Sequence, residues 1–350
     1  MCDVVCALGA ATVSGRTILA KNSDRPPDEA QALEWFEPRA ELATATTHLV
    51  IGPPADGATL GFIASRPTWA WGVEHGVNVA GVAAGNETIF TTADPRPAAD
   101  GLIGIDLVRL CLERSTTAAA GVEVITSLLE EHGQGGSGHG DGHRPYWSSF
   151  LIADPARAFV VETSDRQWAV EEVSTARAIS NRTTIPEFDV AHRHPRQPVE
   201  TLVDPRLDAS RRLLDAGPLT VEAAEAHLRS HAGGDGGWTV CMHVEGVEAT
   251  TASMVAELPV AGSGDHPVGR FLLGSPCRSV FVPLVVGDPF DAAPAWERFR
   301  SLVAPADARR RLERELEAQL AAQPAHESGW NATAWATVDR FLTEHGHLST

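Results

Sequence analysis

The sequence predicts an α+β protein whose sheets are antiparallel. Short β-prone runs follow one another with turn residues between them, as at Ser149 to Ala153, Ala158 to Glu162 and Trp168 to Val173. Such consecutive runs pair as hairpins, which are antiparallel. Helical periodicity is confined to separate stretches, chiefly 101–132 and 307–345. At 350 residues the chain can bury a large core.

Composition restricts the class of protein. Hydrophobic residues make up 43% and charged residues 21%, which is typical of a globular protein. The net charge of −18 argues against nucleic acid as the main partner. No apolar run is long enough to span a membrane, and the N-terminus lacks the basic and apolar regions of a signal peptide. The five cysteines are scattered with no Cys-x-x-Cys pair, which favours reduced thiols in the cytoplasm. We also expect no metal and no cofactor.

The first residues carry the strongest chemical signal. Removal of Met1 would leave Cys2 with a thiol and a free α-amino group on the same residue. The pKa of an α-amine is about 7.7–8.0, so roughly 10–20% of it is neutral at pH 7 and can act as a base. The thiolate is the reactive form of cysteine, and a terminal amine is one group that activates it. Alternatively, Cys2 is simply a small residue in a buried first strand.

A hairpin is predicted around this cysteine. The residues from Asp3 to Ala11 and from Thr17 to Ala20 are small, apolar or β-prone, and a turn separates them. This hairpin would place Cys2 at a strand end and return Lys21 and Asp24 toward it. A solvated turn is the alternative environment for those two charged residues.

The middle of the chain combines strands with two helices. Ser65 to Gly72 contains Trp69 and Trp71, whose rings would lie on one face of a strand. They would either pack in the core or form a wall of a substrate pocket. Val77 to Gly85 is predicted to be one strand ending at Asn86, and residues 101–132 form two helices.

The last 165 residues are less regular. The predicted elements are a surface connection at 186–205, helices at 207–214 and 221–228, strands at 238–243 and 250–258, an edge strand at 281–286 that contains a proline, and helices at 307–323 and 331–345. We divide the chain into a domain of residues 1–290 and a C-terminal helical extension, 291–350, that packs on it. The charged terminal helices are interpreted as packing or subunit-interface elements, so homo-oligomerisation remains open.

Several motifs resemble the secernin family. They are Met1-Cys-Asp3, Ala20-Lys-Asn-Ser-Asp-Arg-Pro-Pro27, Ser65 to Asn78, Gly85-Asn-Glu87, Leu102 to Arg109, Ser127 to Gly136, Ser149 to Asp154 and Ile179-Ser-Asn181. The resemblance is close over residues 2–185 and patchy beyond. Secernins belong with cysteine dipeptidases among the N-terminal-nucleophile hydrolases. The resemblance therefore implies a four-layer αββα sandwich and amide hydrolysis through an acyl-thioester on Cys2.

The resemblance also implies roles for single residues. Within the wider class, which includes bile-salt hydrolases and penicillin V acylases, Cys2 is the nucleophile and its own amine is the base. Asp24 matches the acidic residue that holds the amine, and Lys21 stands where the acylases carry arginine. Asn86 and Asn181 match the donors of an oxyanion hole, which typically contribute about 2.7–4 kcal/mol each. Turn or strand-end asparagines are the structural alternative.

Substrate contacts are expected around this group. The expected residues are Arg66, Trp69, Trp71, Glu74 and Arg278, although Arg66 and Glu74 could instead pair with each other. The implied substrate is a small peptide, with dipeptides first, or an acylated amine. Two alternatives remain: an acylase acting on a non-peptide amide, and a secernin-like protein that binds or regulates without turnover.

A glycine-rich loop at 132–143 contains three histidines and an aspartate. His132, His139, Asp141 and His143 could suggest a metal site. A glycine loop lacks the preorganisation that tight metal binding requires, so we interpret this segment as a mobile, solvated loop bordering the site.

Overall fold

The computed structural model describes residues 1–40, 43–53, 57–195, 199–291, 295–323 and 328–346. Its strands, in chain order, are β1 (Cys2–Ala7), β2 (Ile18–Arg25), β3 (Gln31–Phe36), β4 (Thr44–Ala45), β5 (Val50–Ile51), β6 (Phe62–Pro67), β7 (His75–Asn78), β8 (Ala83–Ile89), β9 (Trp147–Ala153), β10 (Ala158–Ser164), β11 (Gln167–Glu172), β12 (Ala176–Ser180), β13 (His243–Val244), β14 (Glu248–Glu257), β15 (Val268–Leu273) and β16 (Val282–Val285). Its helices are α1 (Gly104–Arg114), α2 (Ala118–His132), α3 (Pro186–His192), α4 (Val199–Leu202), α5 (Asp204–Asp215), α6 (Val221–Leu228), α7 (Trp296–Arg300), α8 (Ala306–Ala322) and α9 (Trp330–His345), with a 3₁₀ turn at Gly9–Ala11.

Two antiparallel sheets form the centre of the molecule. The first sheet has the order β12-β1-β2-β14-β15-β16, with β13 paired to β14, and the second has the order β11-β10-β9-β8-β7-β6-β3. Helices α5 and α6 pack on the outer face of the first sheet, and α1 and α2 pack on the outer face of the second. The protein is therefore an α+β sandwich of four αββα layers, as the resemblance implied.

Side-chain alternation in β1 separates two packing environments. Val4 and Cys6 pack between the two sheets, whereas Val5 and Ala7 pack under α5 and α6. Because side chains alternate along a strand, Cys2 shares the inner face with Val4 and Cys6. The predicted hairpin is confirmed, since Cys2 pairs with Ser23 across β1 and β2.

Two predicted strands differ in the structure. The segment predicted as one strand from Val77 to Gly85 turns at Gly81, which has φ +85°, so β7 and β8 form a hairpin. The Asn78 side chain holds this turn by accepting hydrogen bonds from the backbone of Ala80 and Val82. These bonds replace the backbone pairing of a continuous strand, and strand propensities do not include them. In the segment predicted as a strand at 238–243, only His243 belongs to a strand, β13.

The connection predicted at 186–205 is partly helical. It contains α3, α4 and the start of α5, and Pro186 occupies the first turn of α3, where proline is tolerated. The edge position predicted for the strand with an internal proline is confirmed, because β16 is the last strand of the first sheet.

The C-terminal helices add to the core between the sheets. Trp296 of α7, Leu316 of α8 and Val338 of α9 are buried in the same cluster as Val4 and Leu151. α8 and α9 pack against β16, the last strand of the first sheet, and so cover this edge. None of the described helices is both long enough and apolar enough to cross a bilayer.

Candidate active site

A cavity of about 250 Å³ opens where β1 begins and β2 ends. Its walls combine residues of both sheets with two loops. The lining residues are Met1, Cys2, Asp24, Arg25, Pro26, Glu74, Asn86, Glu87, Thr88, Phe90, His139, Arg144, Pro145, Tyr146, Val247 and Glu248. Four of the predicted site residues, Cys2, Asp24, Glu74 and Asn86, therefore lie around one cavity.

The Cys2 sulfur is the start of a chain of polar side chains between the sheets. Lys21 Nζ lies 3.8 Å from Cys2 Sγ and donates a hydrogen bond of 2.5 Å to Ser23 Oγ, which lies 3.1 Å from His75 Nδ1. Lys21 Nζ is also 3.6 Å from a carboxylate oxygen of Glu74. Lys21 is fully buried, so its ammonium is held beside the sulfur by fixed partners.

Lys21 requires a glycine opposite it in the second sheet. A Cβ at Gly85 would lie 2.5 Å from Lys21 Cδ, which is closer than van der Waals contact allows. The absence of a side chain at Gly85 therefore gives the lysine stem its space. This close approach explains a glycine inside β8, where glycine is otherwise unfavourable.

Burial raises the pKa of Cys2 to about 11, although the Lys21 ammonium partly opposes this shift. At neutral pH the sulfur is therefore protonated while Met1 is present. The Cys2 nitrogen is then an amide and cannot act as a base. While Met1 is present, Cys2 therefore has a protonated thiol and no amine on the same residue that could take its proton.

The Cys2 nitrogen is held by Asn181. It donates to Asn181 Oδ1 at 2.8 Å, and the same oxygen accepts a hydrogen bond of 2.9 Å from Arg206. Asn181 Nδ2 donates to the carbonyl of Thr88 at 2.9 Å. Asn181 thus presents an acceptor to Cys2, whereas the resemblance implied a donor to an oxyanion.

Asp24 lies on the other face of β2, beneath the chain terminus. Its Oδ1 accepts from Thr250 Oγ1 at 2.6 Å, and its Oδ2 has no hydrogen-bond partner among the described residues. The Met1 amine donates to the Asp24 carbonyl at 3.2 Å. Burial raises the pKa of Asp24 to about 7, a shift that the terminal amine and Arg206 oppose.

Arg206 is a site residue that the sequence did not indicate. It is fully buried in α5, donates to Asp3 Oδ2 at 2.5 Å and to the Cys2 carbonyl at 3.3 Å, and lies 4.0 Å from Asp24. Its guanidinium therefore joins the start of β1 to the end of β2. The resemblance suggested Arg278 as the late arginine of the site, but Arg278 is exposed and does not line the cavity.

We expect Arg206→Met to lower the free energy of unfolding by about 3–5 kcal/mol, because it leaves the buried Asp3 carboxylate without its partner. Urea denaturation measures this loss. Asp3→Asn in the same background should recover part of it, since the uncompensated charge is then removed. Arg96→Met at an exposed ion pair is the matched control and should leave the urea midpoint unchanged. An unchanged midpoint for Arg206→Met would contradict this description of the site.

Asn86 lies in the cavity wall on β8. Tyr146 lines the same cavity, and Asn86 Oδ1 has no hydrogen-bond partner within the described residues. It also packs against the start of α1, where a Cβ at Gly104 would lie 2.4 Å from Asn86 Nδ2. A 180° rotation of an amide exchanges its oxygen and nitrogen, so this group can offer either a donor or an acceptor.

The other predicted substrate contacts lie away from the cavity. Arg66 pairs with Glu34 and donates to the carbonyls of residues 67, 68 and 70, so it holds the turn after β6. Trp69 and Trp71 therefore lie in that turn and not on a strand. Trp71 stacks on the Arg109 guanidinium, and Trp69 packs beside Ile105 and donates to Glu29. Both rings serve packing.

Glu74 lines the cavity whereas Arg66 does not, and the two residues do not pair with each other. Its carboxylate lies between Lys21 and Arg25, and Arg25 also forms an ion pair with Glu29. Burial opposes ionisation, but the Arg25 and Lys21 charges prevail and lower the pKa of Glu74. Glu74 is therefore an anion in the cavity wall.

The glycine-rich loop does border the cavity, through His139. Residues 133–136 and 138 are buried and not solvated, because their backbone pairs with Gly101 and Leu102 and glycines 136 and 138 lie against aromatic rings. Residues 140–144 are exposed as predicted. Within the described part of the chain, the histidines of this loop do not gather into a group that could hold a metal.

Sequence reasoning also missed most of the charged lining. Arg25, Glu87, Arg144 and Glu248 come from four separate segments and meet only in the folded chain. Glu87 is fully buried, and burial together with the Asp3 charge raises its pKa well above the usual range. Its position beside Asn86 in the motif Gly85-Asn-Glu87 was the only sequence signal that could have identified Glu87 as a cavity residue.

No protein-family model matches the sequence, so the resemblance to secernins remains a prediction. Among solved structures, the chain is similar to penicillin V acylase from Agrobacterium tumefaciens, with a TM-score of 0.51 and 12% identity over 81% of this chain and 86% of that chain.

Two further structures are similar at lower TM-scores. The first is a Caenorhabditis elegans orthologue of N-acylethanolamine-hydrolyzing acid amidase, with a TM-score of 0.44 and 11% identity over 75% of this chain and 94% of that chain. The second is a mutant conjugated bile acid hydrolase from Clostridium perfringens, with a TM-score of 0.46 and 10% identity over 78% of this chain and 89% of that chain. The acylase match, together with the layers described above, identifies the fold as that of the N-terminal-nucleophile hydrolases.

Proposed function

We propose that this chain is a cysteine-dependent amide hydrolase whose nucleophile is Cys2 after removal of Met1. One observation carries the proposal: Cys2 lies at the wall of a cavity with its nitrogen held by Asn181 and its sulfur beside the buried Lys21 ammonium. Removal of Met1 would turn that nitrogen into an amine on the same residue as the thiol. The shared fold with an acylase supports this reading.

The reaction proceeds in two halves. The neutral amine of Cys2 takes the thiol proton, and the thiolate attacks the amide carbonyl of the substrate. The tetrahedral intermediate then expels the amine product, which receives the proton from the Cys2 ammonium. Water attacks the remaining thioester, with the Cys2 amine again as base, and releases the carboxylic acid and the free thiol.

Neighbouring groups set the ionisation and the orientation of Cys2. Lys21 favours the thiolate by its charge, and Asn181 and Arg206 hold the nitrogen and the carbonyl of the same residue. Asp24 places a buried carboxylate beneath the terminus, where it favours the ammonium form that follows proton transfer. Asn86, in the opposite wall, is the proposed oxyanion donor.

The charged lining favours a small peptide as the substrate. In the structure the Met1 ammonium lies in the cavity and forms an ion pair with Glu248. The cavity is therefore already complementary to an α-ammonium group, and Met1 removal would leave Glu248 available for the ammonium of a substrate. Arg144 lies in the same cavity as a candidate partner for a carboxylate. On this basis we place dipeptides first.

An acylase acting on a non-peptide amide is the second candidate. Phe90 and Val247 line the same cavity and are 44% and 57% exposed, so they offer an apolar surface to an acyl chain. A panel of dipeptides assayed beside acylated amines distinguishes the two. Faster hydrolysis of free dipeptides supports the peptidase, and hydrolysis confined to acylated amines that lack an α-ammonium supports the acylase.

We expect Glu248→Gln to raise KM for dipeptides by about tenfold while kcat changes little, because it removes a charge from a ground-state contact. N-acetylated dipeptides lack the ammonium and should be hydrolysed equally by both proteins. Glu245→Gln, a nearby exposed carboxylate outside the cavity lining, is the matched control. If KM rises equally for free and acetylated substrates, Glu248 does not bind the α-ammonium group of the substrate.

A further inference from the structure

Four metal-ligating side chains, none of which lines the cavity, meet between the loop that follows α6 and the turn that follows β15. His231, Cys241, His243 and Cys277 each place a ligand atom within 4.8 Å of the other three. His243 Nε2 lies 3.3 Å from Cys241 Sγ and 3.2 Å from Cys277 Sγ. Two sulfurs and two imidazole nitrogens therefore surround one point.

The separations fit a small tetrahedral ion. Zinc binds sulfur at about 2.3 Å and nitrogen at about 2.0–2.1 Å, so sulfur and nitrogen ligands of one tetrahedron lie about 3.6 Å apart. The two sulfur–nitrogen distances in the structure, 3.3 and 3.2 Å, are a few tenths of an ångström shorter, a difference that side-chain rotation accommodates. Two thiolates with two imidazoles form a donor set that selects zinc over the hard cations calcium and magnesium.

Backbone hydrogen bonds hold the ligands in place before any ion binds. Cys241 N donates to the Ser230 carbonyl at 2.9 Å, which brings Cys241 beside His231. His243 N donates to the Gly237 carbonyl at 3.0 Å. Arg309 Nη2 donates to the Cys277 carbonyl at 2.9 Å and so fixes the turn that carries the fourth ligand. The site is preorganised on two separate loops.

We propose that His231, Cys241, His243 and Cys277 form a structural Cys₂His₂ zinc site. All four positions of a tetrahedron are occupied by protein ligands, which leaves none open for a substrate. Cys241 is buried, His243 and Cys277 are half-buried, and His231 is exposed, so an ion can enter from the His231 side. The ion would fasten the loop at 229–243 to the turn at 274–279.

Two hydrogen bonds connect the proposed zinc site to the Asp24 carboxylate. Met242, between two of the ligands, donates its N–H to Thr250 Oγ1 at 2.9 Å, and Thr250 Oγ1 donates to Asp24 Oδ1 at 2.6 Å. Ser275, two residues before Cys277, donates to the Thr250 carbonyl at 3.2 Å. The zinc site would therefore stabilise the segment of β14 that contacts Asp24, independently of whether the chain hydrolyses amides.

Metal content of the purified full-length protein is the first test. After removal of metal with a chelator and reconstitution with Zn²⁺, elemental analysis should find one zinc per chain. The Cys241→Ser/Cys277→Ser double variant should hold less than about one tenth of that amount, and Cys6→Ala, which removes a buried thiol elsewhere, should hold the same amount as the wild type. Zinc retained by the double variant would place the ion elsewhere and overturn the proposal.

Cobalt substitution tests the geometry. Co²⁺ in the wild-type protein should give the intense visible absorption of tetrahedral coordination together with a thiolate-to-cobalt charge-transfer band. Both signals should be absent from the double variant. The exposed ligand offers a milder change: His231→Gln should weaken zinc affinity by about tenfold or more, whereas His143→Gln, at another exposed histidine, should not.

Stability and thiol chemistry complete the test. Chelation should lower the Tm of the wild-type protein by about 5 °C or more and leave the double variant unchanged. If the double variant does not fold, the affinity ratio of His231→Gln to wild type decides alone. Failure of the reduced wild-type protein to take up zinc overturns the proposal. A native Cys241–Cys277 disulfide, detected as two fewer titratable thiols without bound metal, does the same.

Discussion

Replacement of Cys2 by alanine is expected to reduce amide hydrolysis by at least about 10⁴-fold. In the proposed mechanism the Cys2 thiolate forms the covalent intermediate, and loss of a nucleophile from a catalytic group that acts as a unit lowers the rate by a factor of this order. Binding should persist, because Glu248, Arg144 and the apolar wall remain. The measurements are kcat/KM on the best dipeptide and intact mass during turnover, in which only the wild-type protein should accumulate an acylated form.

The matched control for this variant is Cys6→Ala. Cys6 lies on the same strand and the same face as Cys2, but it is packed in the core with no exposed surface. This variant should keep wild-type kcat/KM even if its stability falls slightly. Undiminished hydrolysis by Cys2→Ala would reject the mechanism. Ligand binding without turnover in the wild-type protein would instead support the secernin-like binding alternative.

A blocked N-terminus is expected to reduce hydrolysis by at least about 100-fold, because the Cys2 nitrogen would remain an amide and the thiol would lose its base. General-base catalysis typically contributes 10²–10⁴-fold. Burial compounds the loss, since it raises the pKa of Cys2 to about 11 while Met1 is present. The change is made with an N-terminal extension that a sequence-specific protease removes to expose Cys2.

The same polypeptide then serves as its own control. Activity should be near background before cleavage and should appear in proportion to the fraction of chains that begin with Cys2, measured by intact mass. Cys2→Ala with the identical extension should stay inactive before and after cleavage. Full activity in the uncleaved protein would show that the α-amine is not the base.

Local sequence patterns predicted the first hairpin and most of the helices. Two small, apolar or β-prone runs with a turn between them predicted that Cys2 would meet the end of β2, and it pairs with Ser23. Helical periodicity predicted α1, α2, α8 and α9 to within a few residues. These features depend on neighbours in sequence, so the pattern of residues contains the information that produces them. The turn at Trp69 and Trp71 was misjudged because contacts of Arg66 determine it.

Residues distant in sequence were the ones that could not be predicted. Arg206 falls just before the helix predicted at 207–214, and it becomes part of the site only because α5 packs over the start of β1. Cys241 and Cys277 lack zinc-finger spacing and meet His231 and His243 through loops. Arg278 was chosen as the late arginine from its motif, and its side chain is exposed.

The sequence by itself determined the chemistry available at the N-terminus and the strand that presents it, because a hairpin places its own ends together. Only the tertiary structure decided which groups surround Cys2, that Asn181 offers an oxygen to its nitrogen, and that Glu248 faces an ammonium. The physical reason is that hydrogen bonds and ion pairs act over a few ångströms. The packing of the two sheets and their helices brings together groups from segments more than 200 residues apart in the sequence, as at Arg206 and Asp3.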